Sequence, residues 1–213
     1  MCWNKEVSFL TGFFSTAIAA YLYKRDHYLD KWFAIFLFSV APMQWIEFAL
    51  WIQIDYYPDH EYVNEFITLY MIPTLLALQP LASYYGLYLT KHKYASQLFP
   101  IYIAFSLVFA AVLFTVPKRK TTAVCKKKDL FGKSLDWGMR FDSYGELIKT
   151  IFYIAQFIFL FLPYALFLRK SFALQLTGFA MLLIMYFTLY LNDSGSRWCL
   201  YTNIAAVIFL LTN

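Results

Sequence analysis

Few residues of this chain carry chemistry, and one of them sits where a charge is expensive. Glu47 lies in the stretch Met43-Gln44-Trp45-Ile46-Glu47-Phe48-Ala49-Leu50-Trp51, inside an apolar run long enough to form a membrane-crossing helix. An ionised carboxylate at bilayer depth costs about 2.5–3.5 kcal/mol even on insertion scales, so a chain that keeps one there gives it a partner, a proton or a task. Gln44 at i−3 and Trp51 at i+4 share its helix face, which predicts a polar and aromatic seam turned toward other helices rather than lipid. Apolar surroundings disfavour the charged form of a carboxyl, so such a group can take up and release a proton near neutral pH.

The thiols point the same way. Cys2, Cys125 and Cys199 all map to the membrane face that holds the N-terminus, together with Arg197, Trp198 and His60. In an oxidising compartment Cys2 and Cys199 could form a disulfide tying the first helix to the last and leaving Cys125 free; in a reducing one they stay thiols. Two thiols, Glu47 and His60 could also ligate a soft or borderline metal, but the spacing carries no zinc signature. The expected ligand or proton site is therefore Glu47, Gln44, Trp51, Trp198 and Arg197. Three functions stay open: a bundle that binds or transports a small solute or proton, a metal- or thiol-dependent membrane enzyme acting on a lipid or redox substrate, and a non-catalytic scaffold. Which cofactor, if any, such a site would hold stays unknown. His27 and His92 fall on the opposite face, no two histidines share a helix at metal spacing, and the last apolar run lacks the lysine a retinal protein needs. Glycine-rich phosphate loops and GxSxG elbows are absent too.

These residues need helices to position them. With 61% hydrophobic and 15% charged residues and a mean hydropathy of +0.53, the chain is too apolar for an ordinary soluble domain and reads as an all-α, polytopic membrane protein. Apolar runs fall at about 6–23, 32–54, 62–90, 95–117, 146–168, 171–191 and 197–213, each near the roughly 20 residues that cross a hydrocarbon core of about 30 Å, which predicts a single domain of seven helices. Pro42, Pro73, Pro80, Pro100 and Pro163 lie inside these runs and predict kinks that a bundle tolerates. The N-terminus lacks the layout of a cleaved signal, so the first run should stay as a helix.

The segment 118–145 is basic and outside the membrane, and Lys118–Lys128 reads as a solvated or phospholipid-facing loop. A net charge of +5 sits between the apolar runs and leaves no separate basic domain for nucleic acid. The partner is the lipid bilayer, with a homo-oligomer left open. Lys24 and Arg25 behind the first helix, against Lys5 ahead of it, place the N-terminus outside or in a lumen and the C-terminus on the opposite face. The full count of Lys and Arg, eleven on the N-terminal face against seven, argues the other way.

Three stretches carry a resemblance. Met1-Cys2-Trp3-Asn4-Lys5-Glu6-Val7-Ser8 is similar to a Met-Cys-Phe-Ser-x-Glu-x-Ser opening, Gln44-Trp45-Ile46-Glu47-Phe48-Ala49-Leu50-Trp51 to Gln-x-x-Glu-Gly-x-x-Trp, and Ser196-Arg197-Trp198-Cys199-Leu200 to Ser-x-Trp-Cys-Phe. Together they resemble a functionally uncharacterised family of small multispan membrane proteins, bacterial, with relatives in large DNA viruses. The resemblance implies that Cys2, Glu47, Trp51, Trp198 and Cys199 form the defining site, and it implies no activity. Phe48 replaces the family's glycine and fills space that a small residue would leave. The abundance of Phe, Tyr and Lys would suit an AT-rich viral genome.

Overall fold

The computed structural model describes residues 4–27, 29–124, 134–140, 145–167 and 194–212. The run expected at 171–191, with Cys2 and Cys125, lies outside them. Helix α1 spans Lys5–Arg25, where the Val7 amide donates to the Asn4 side chain at 2.8 Å and so satisfies one free amide of the first turn. Glu6 at its start and Lys24 and Arg25 at its end complement the helix dipole, and Asp26, left-handed at φ 57°, stops it. Helix α2 spans Asp30–Tyr56. A continuous helical rod follows, made of α3 (Glu61–Phe66), a π-turn (Ile67–Met71) and α4 (Ile72–Leu89). The π-turn stands just ahead of Pro73, whose ring nitrogen has no hydrogen for the helical ladder; the Ile72 amide donates five residues back to Ile67 instead.

Helix α5 (Ala95–Thr115) ends where Val116 turns extended ahead of Pro117. Then come a hairpin of β1 (Thr122–Val124) and β2 (Ser134–Asp136), α6 (Glu146–Phe167) and α7 (Ser194–Thr212). Thr122 pairs with Asp136, Ala123 with Leu135 and Val124 with Ser134, antiparallel.

Among the described residues, Asp30–Tyr56, Glu61–Leu89 and Ala95–Thr115 are long and apolar enough to cross a membrane. They match the expected runs at 32–54, 62–90 and 95–117. The expected runs at 6–23, 146–168 and 197–213 are helical over 6–23, 146–167 and 197–212, but the last two have shorter apolar stretches, Thr150–Pro163 and Thr202–Leu211. Helix α1 is diluted by Ser8, Thr11, Gly12, Ser15 and Thr16. The segment 118–145 departs from a plain loop. Leu135 of the hairpin is buried beside Met43, Leu50, Trp51 and Ile67, and the Asn64 amide donates to the Thr121 carbonyl at 2.9 Å while its oxygen accepts from the Thr121 amide at 2.9 Å. One face of its described residues, 118–124 and 134–140, therefore caps the end of the bundle.

The surface runs inverse to that of a soluble protein. Phe13 on α1, Leu107 and Val108 on α5, and Ile148, Ile151, Ile154 and Ile158 on one face of α6 point outward, while Ser15, Gln44, Glu47, Gln79 and Ser83 are buried. Exposed tyrosines gather at both ends, Tyr56, Tyr57 and Tyr62 at the hairpin end and Tyr21, Tyr23, Tyr85, Tyr88 and Tyr94 at the other. The 27 residues of α2 that separate them span about 40 Å, the thickness of a bilayer with its headgroups.

Candidate functional site

The carboxyl site forms where α1, α2 and α7 meet. Helices α1 and α2 are an antiparallel pair joined by the break at Asp26 and Leu29, both with positive φ. They pack closely at Gly12, where an added Cβ would stand 3.2 Å from the Trp45 ring. Trp45 Nε1 also donates to Thr16 Oγ1 at 3.2 Å, which fixes the register. That register brings Ser15 opposite Gln44: Gln44 Nε2 donates to Ser15 Oγ at 3.2 Å, and Ser15 Oγ donates to Asn203 Oδ1 of α7 at 2.9 Å. Glu47 lies one turn along α2 from Gln44, and both are 0% exposed. Trp51, a further turn on, is buried against Ile67, Ile72 and Leu135. The expected seam of Gln44, Glu47 and Trp51 thus faces helices and the cap. Among the described residues, Gln44 Oε1 has no hydrogen-bond partner, so the seam holds a buried acceptor as well as a carboxyl.

Arg197, Trp198 and Cys199 lie in the first two turns of α7, whose backbone is described there. Counting back from Asn203, Cys199 at i−4 shares its helix face with Thr202, Asn203 and Ala206, and Trp198 shares one with Thr202 and Ala205, all four of these later residues buried. Arg197, six residues before Asn203, falls on another side by the same count. Cys2 is outside the described residues, so the expected pairing with Cys199 and the metal set that includes both are not addressed by the described geometry. His60 is exposed at the start of α3 beside Tyr57 and Tyr62, past the end of α2, which lies nine residues or about 14 Å beyond the depth of buried Glu47, and the two are not brought together. Among the described residues no three of His, Cys, Asp or Glu are grouped to hold a metal ion.

Three polar contacts escaped the sequence reading. Ser8 and Ser15 stand seven residues apart on the buried face of α1, and that spacing was a usable signal. Gln53, Asn64, Thr68 and Thr121 form a buried hydrogen-bonded group under the cap, with Asn64 Nδ2 donating to Gln53 Oε1 at 2.8 Å. Arg25 and Asp30 make a two-pronged ion pair at 2.6 and 2.7 Å, with Asp30 fully buried. The hydrogen bonds to Asp30 raise the Arg25 pKa above its ordinary value. At the other end, burial against Phe114 lowers the pKa of Lys118.

No protein-family model, curated protein or solved structure matches the chain.

Proposed function

We propose that this chain is a seven-helix integral membrane protein that binds, and passes across the bilayer, a proton or small polar solute at the Glu47 seam. The observation that carries the reading is a fully buried carboxyl at the depth of a membrane-crossing helix, one turn from the relay Gln44–Ser15–Asn203 that joins three helices. The relay offers hydroxyl and amide groups that can exchange hydrogen-bond partners as the carboxyl changes protonation.

Helix directions support the seventh crossing. Helix α6 lies antiparallel to α5, with Phe152 stacked on Phe109 and Phe159 on Phe105, and so ends at the Arg25–Asp30 end. Helix α7 lies parallel to α1: Asn203 meets Ser15, and Phe209 stacks on Phe33 near the start of α2. It therefore starts at the hairpin end, opposite the end at which α6 stops. The three stretches that resemble the uncharacterised multispan family are read as one site at the hairpin half of the seam, and the N-terminus is read as outside or lumenal.

Proteoliposomes test the function. A pH-gradient-driven flux is expected from the wild type and is expected to fall to background in Glu47→Gln. Unchanged flux in that variant, or no flux of protons and common ions in the wild type, removes the reading.

A further inference from the structure

Beyond the buried seam, an open groove of about 590 Å³ runs along the lipid-facing side of the α1 start and the α2 end. Its chemistry changes along its length. Lys5, Glu6, Tyr56 and Tyr57 rim the end level with the tyrosine belt, and one to two turns deeper Phe9, Leu10, Phe48 and Ile52 make an apolar floor. Phe9 and Phe48 pack ring to ring at 5.4 Å, and the Trp45 ring backs them, edge-on to Phe9 at 5.6 Å. Lys5 is held in place: its ammonium lies 4.1 Å over the Tyr56 ring, contacts the Tyr56 hydroxyl, and stands 3.8 Å from the Glu6 carboxylate.

We propose that this groove is a binding site for one zwitterionic phospholipid. Its phosphate is taken by Lys5 and the tyrosine hydroxyls, its ammonium group by Glu6, and one acyl chain lies over Phe9, Leu10, Phe48 and Ile52. The charge pattern selects the occupant, because a cation and an anion fixed side by side match a headgroup that carries both signs, while a purely anionic headgroup meets the repulsion of Glu6. The vertical order of the groove matches a lipid in place: charge and tyrosine at headgroup level, rings and aliphatic side chains below. A free phosphate would leave the apolar floor empty. The inference is independent of Glu47.

Native mass spectrometry of the full chain released from vesicles of phosphatidylethanolamine and phosphatidylglycerol in equal parts tests it. The wild type is expected to retain one phosphatidylethanolamine. Lys5→Gln, which removes a charge-assisted bond, is expected to retain about tenfold less. Ile52→Trp, which fills the floor, is expected to retain none, and Lys5→Arg to keep it. Preference for phosphatidylglycerol, equal retention in Lys5→Gln and Ile52→Trp, or a wild type without bound lipid overturns the proposal. Retention that appears only after removal of Met1–Trp3 would assign the groove to the chain's own N-terminus and equally overturn it.

Discussion

A single absent carbon lets α4 reach α2. At Gly86 a Cβ would stand 2.8 Å from the Trp32 ring and 3.1 Å from the Trp32 backbone, and backbone does not step aside as a side-chain tip can. Gly86→Ala is expected to destabilise the bundle by about 1–3 kcal/mol, read as a lowered unfolding midpoint in detergent. Gly12→Ala presses only on the Trp45 ring, at 3.2–3.4 Å, and is expected to cost less. Equal effects of the two would show that Trp32 can move. At this scale the sequence was partly legible. Glu47 and Gln44 stood out because a charge and an amide are conspicuous in an apolar run, and the 3.6-residue period put them with Trp51 on one face. Ser15 and Asn203 did not stand out, since a small polar residue in a membrane helix commonly bonds its own backbone, as Thr11 and Thr16 do here. Only the register between helices shows which serine turns outward to a neighbour.

The elements follow from length and composition, but their irregularities follow from proline. Pro163 brings no amide hydrogen to α6, so the Phe159 carbonyl four residues back loses its helical donor. Tyr102 of α5 supplies one, its hydroxyl donating to the Phe159 carbonyl at 2.8 Å, and Ser83 of α4 donates to the Leu160 carbonyl at 2.7 Å. The gap that proline leaves in one helix's ladder thus becomes the attachment point for two others. Near Pro42, Gln79 Nε2 donates to the Ser39 carbonyl at 3.3 Å, one residue on from the Phe38 carbonyl that loses its helical donor. Tyr102→Phe alone is expected to cost about 1–3 kcal/mol, because a buried carbonyl is left unsatisfied. In a Pro163→Ala background, where residue 163 regains its amide, the same change is expected to cost markedly less. A double-mutant cycle of unfolding free energies measures the difference, and additive costs would mean that the tyrosine does not serve the proline's vacancy. The five prolines were visible in the sequence as kinks; which neighbour fills each gap was not, because that depends on tertiary placement. The cap formed by residues 118–124 and 134–140 was hidden for a different reason. Its lysines announce solvent, while the burial of Leu135 and Thr121 depends on one alternate face and on Asn64 across the bundle end.

For the whole molecule, apolar runs, tyrosine belts and helix directions agree on a bundle crossed end to end. The loop at 57–60 and the hairpin share one end, and the turn at 90–94 shares the other with the Arg25–Asp30 pair, since Gly86 packs on Trp32 at the start of α2. Helix α7 runs with α1, which sends the C-terminus to the Lys93 end. Asn203 opposite Ser15 sets Cys199 level with Thr11, six residues or about 9 Å inside the start of α1. Because disulfide Cα atoms lie within about 7 Å of one another, a Cys2–Cys199 bond requires the chain before Lys5 to fold back over α1. Cysteine labelling in cells with a membrane-impermeant maleimide tests this arrangement. In a chain with all three cysteines replaced by serine, Asp59→Cys and Lys93→Cys are expected to react from opposite sides, with a C-terminal tag on the side of Lys93. Reaction of Asp59→Cys in intact cells would set the N-terminus outside, and reaction only after permeabilisation would reverse it. With the native cysteines restored, Cys2 and Cys199 are expected to share the side of Asp59. Labelling of Asp59 and Lys93 from one side would break the end-to-end bundle. A C-terminal tag on the side of Asp59 would turn α7 over and remove the need for a crossing between α6 and α7.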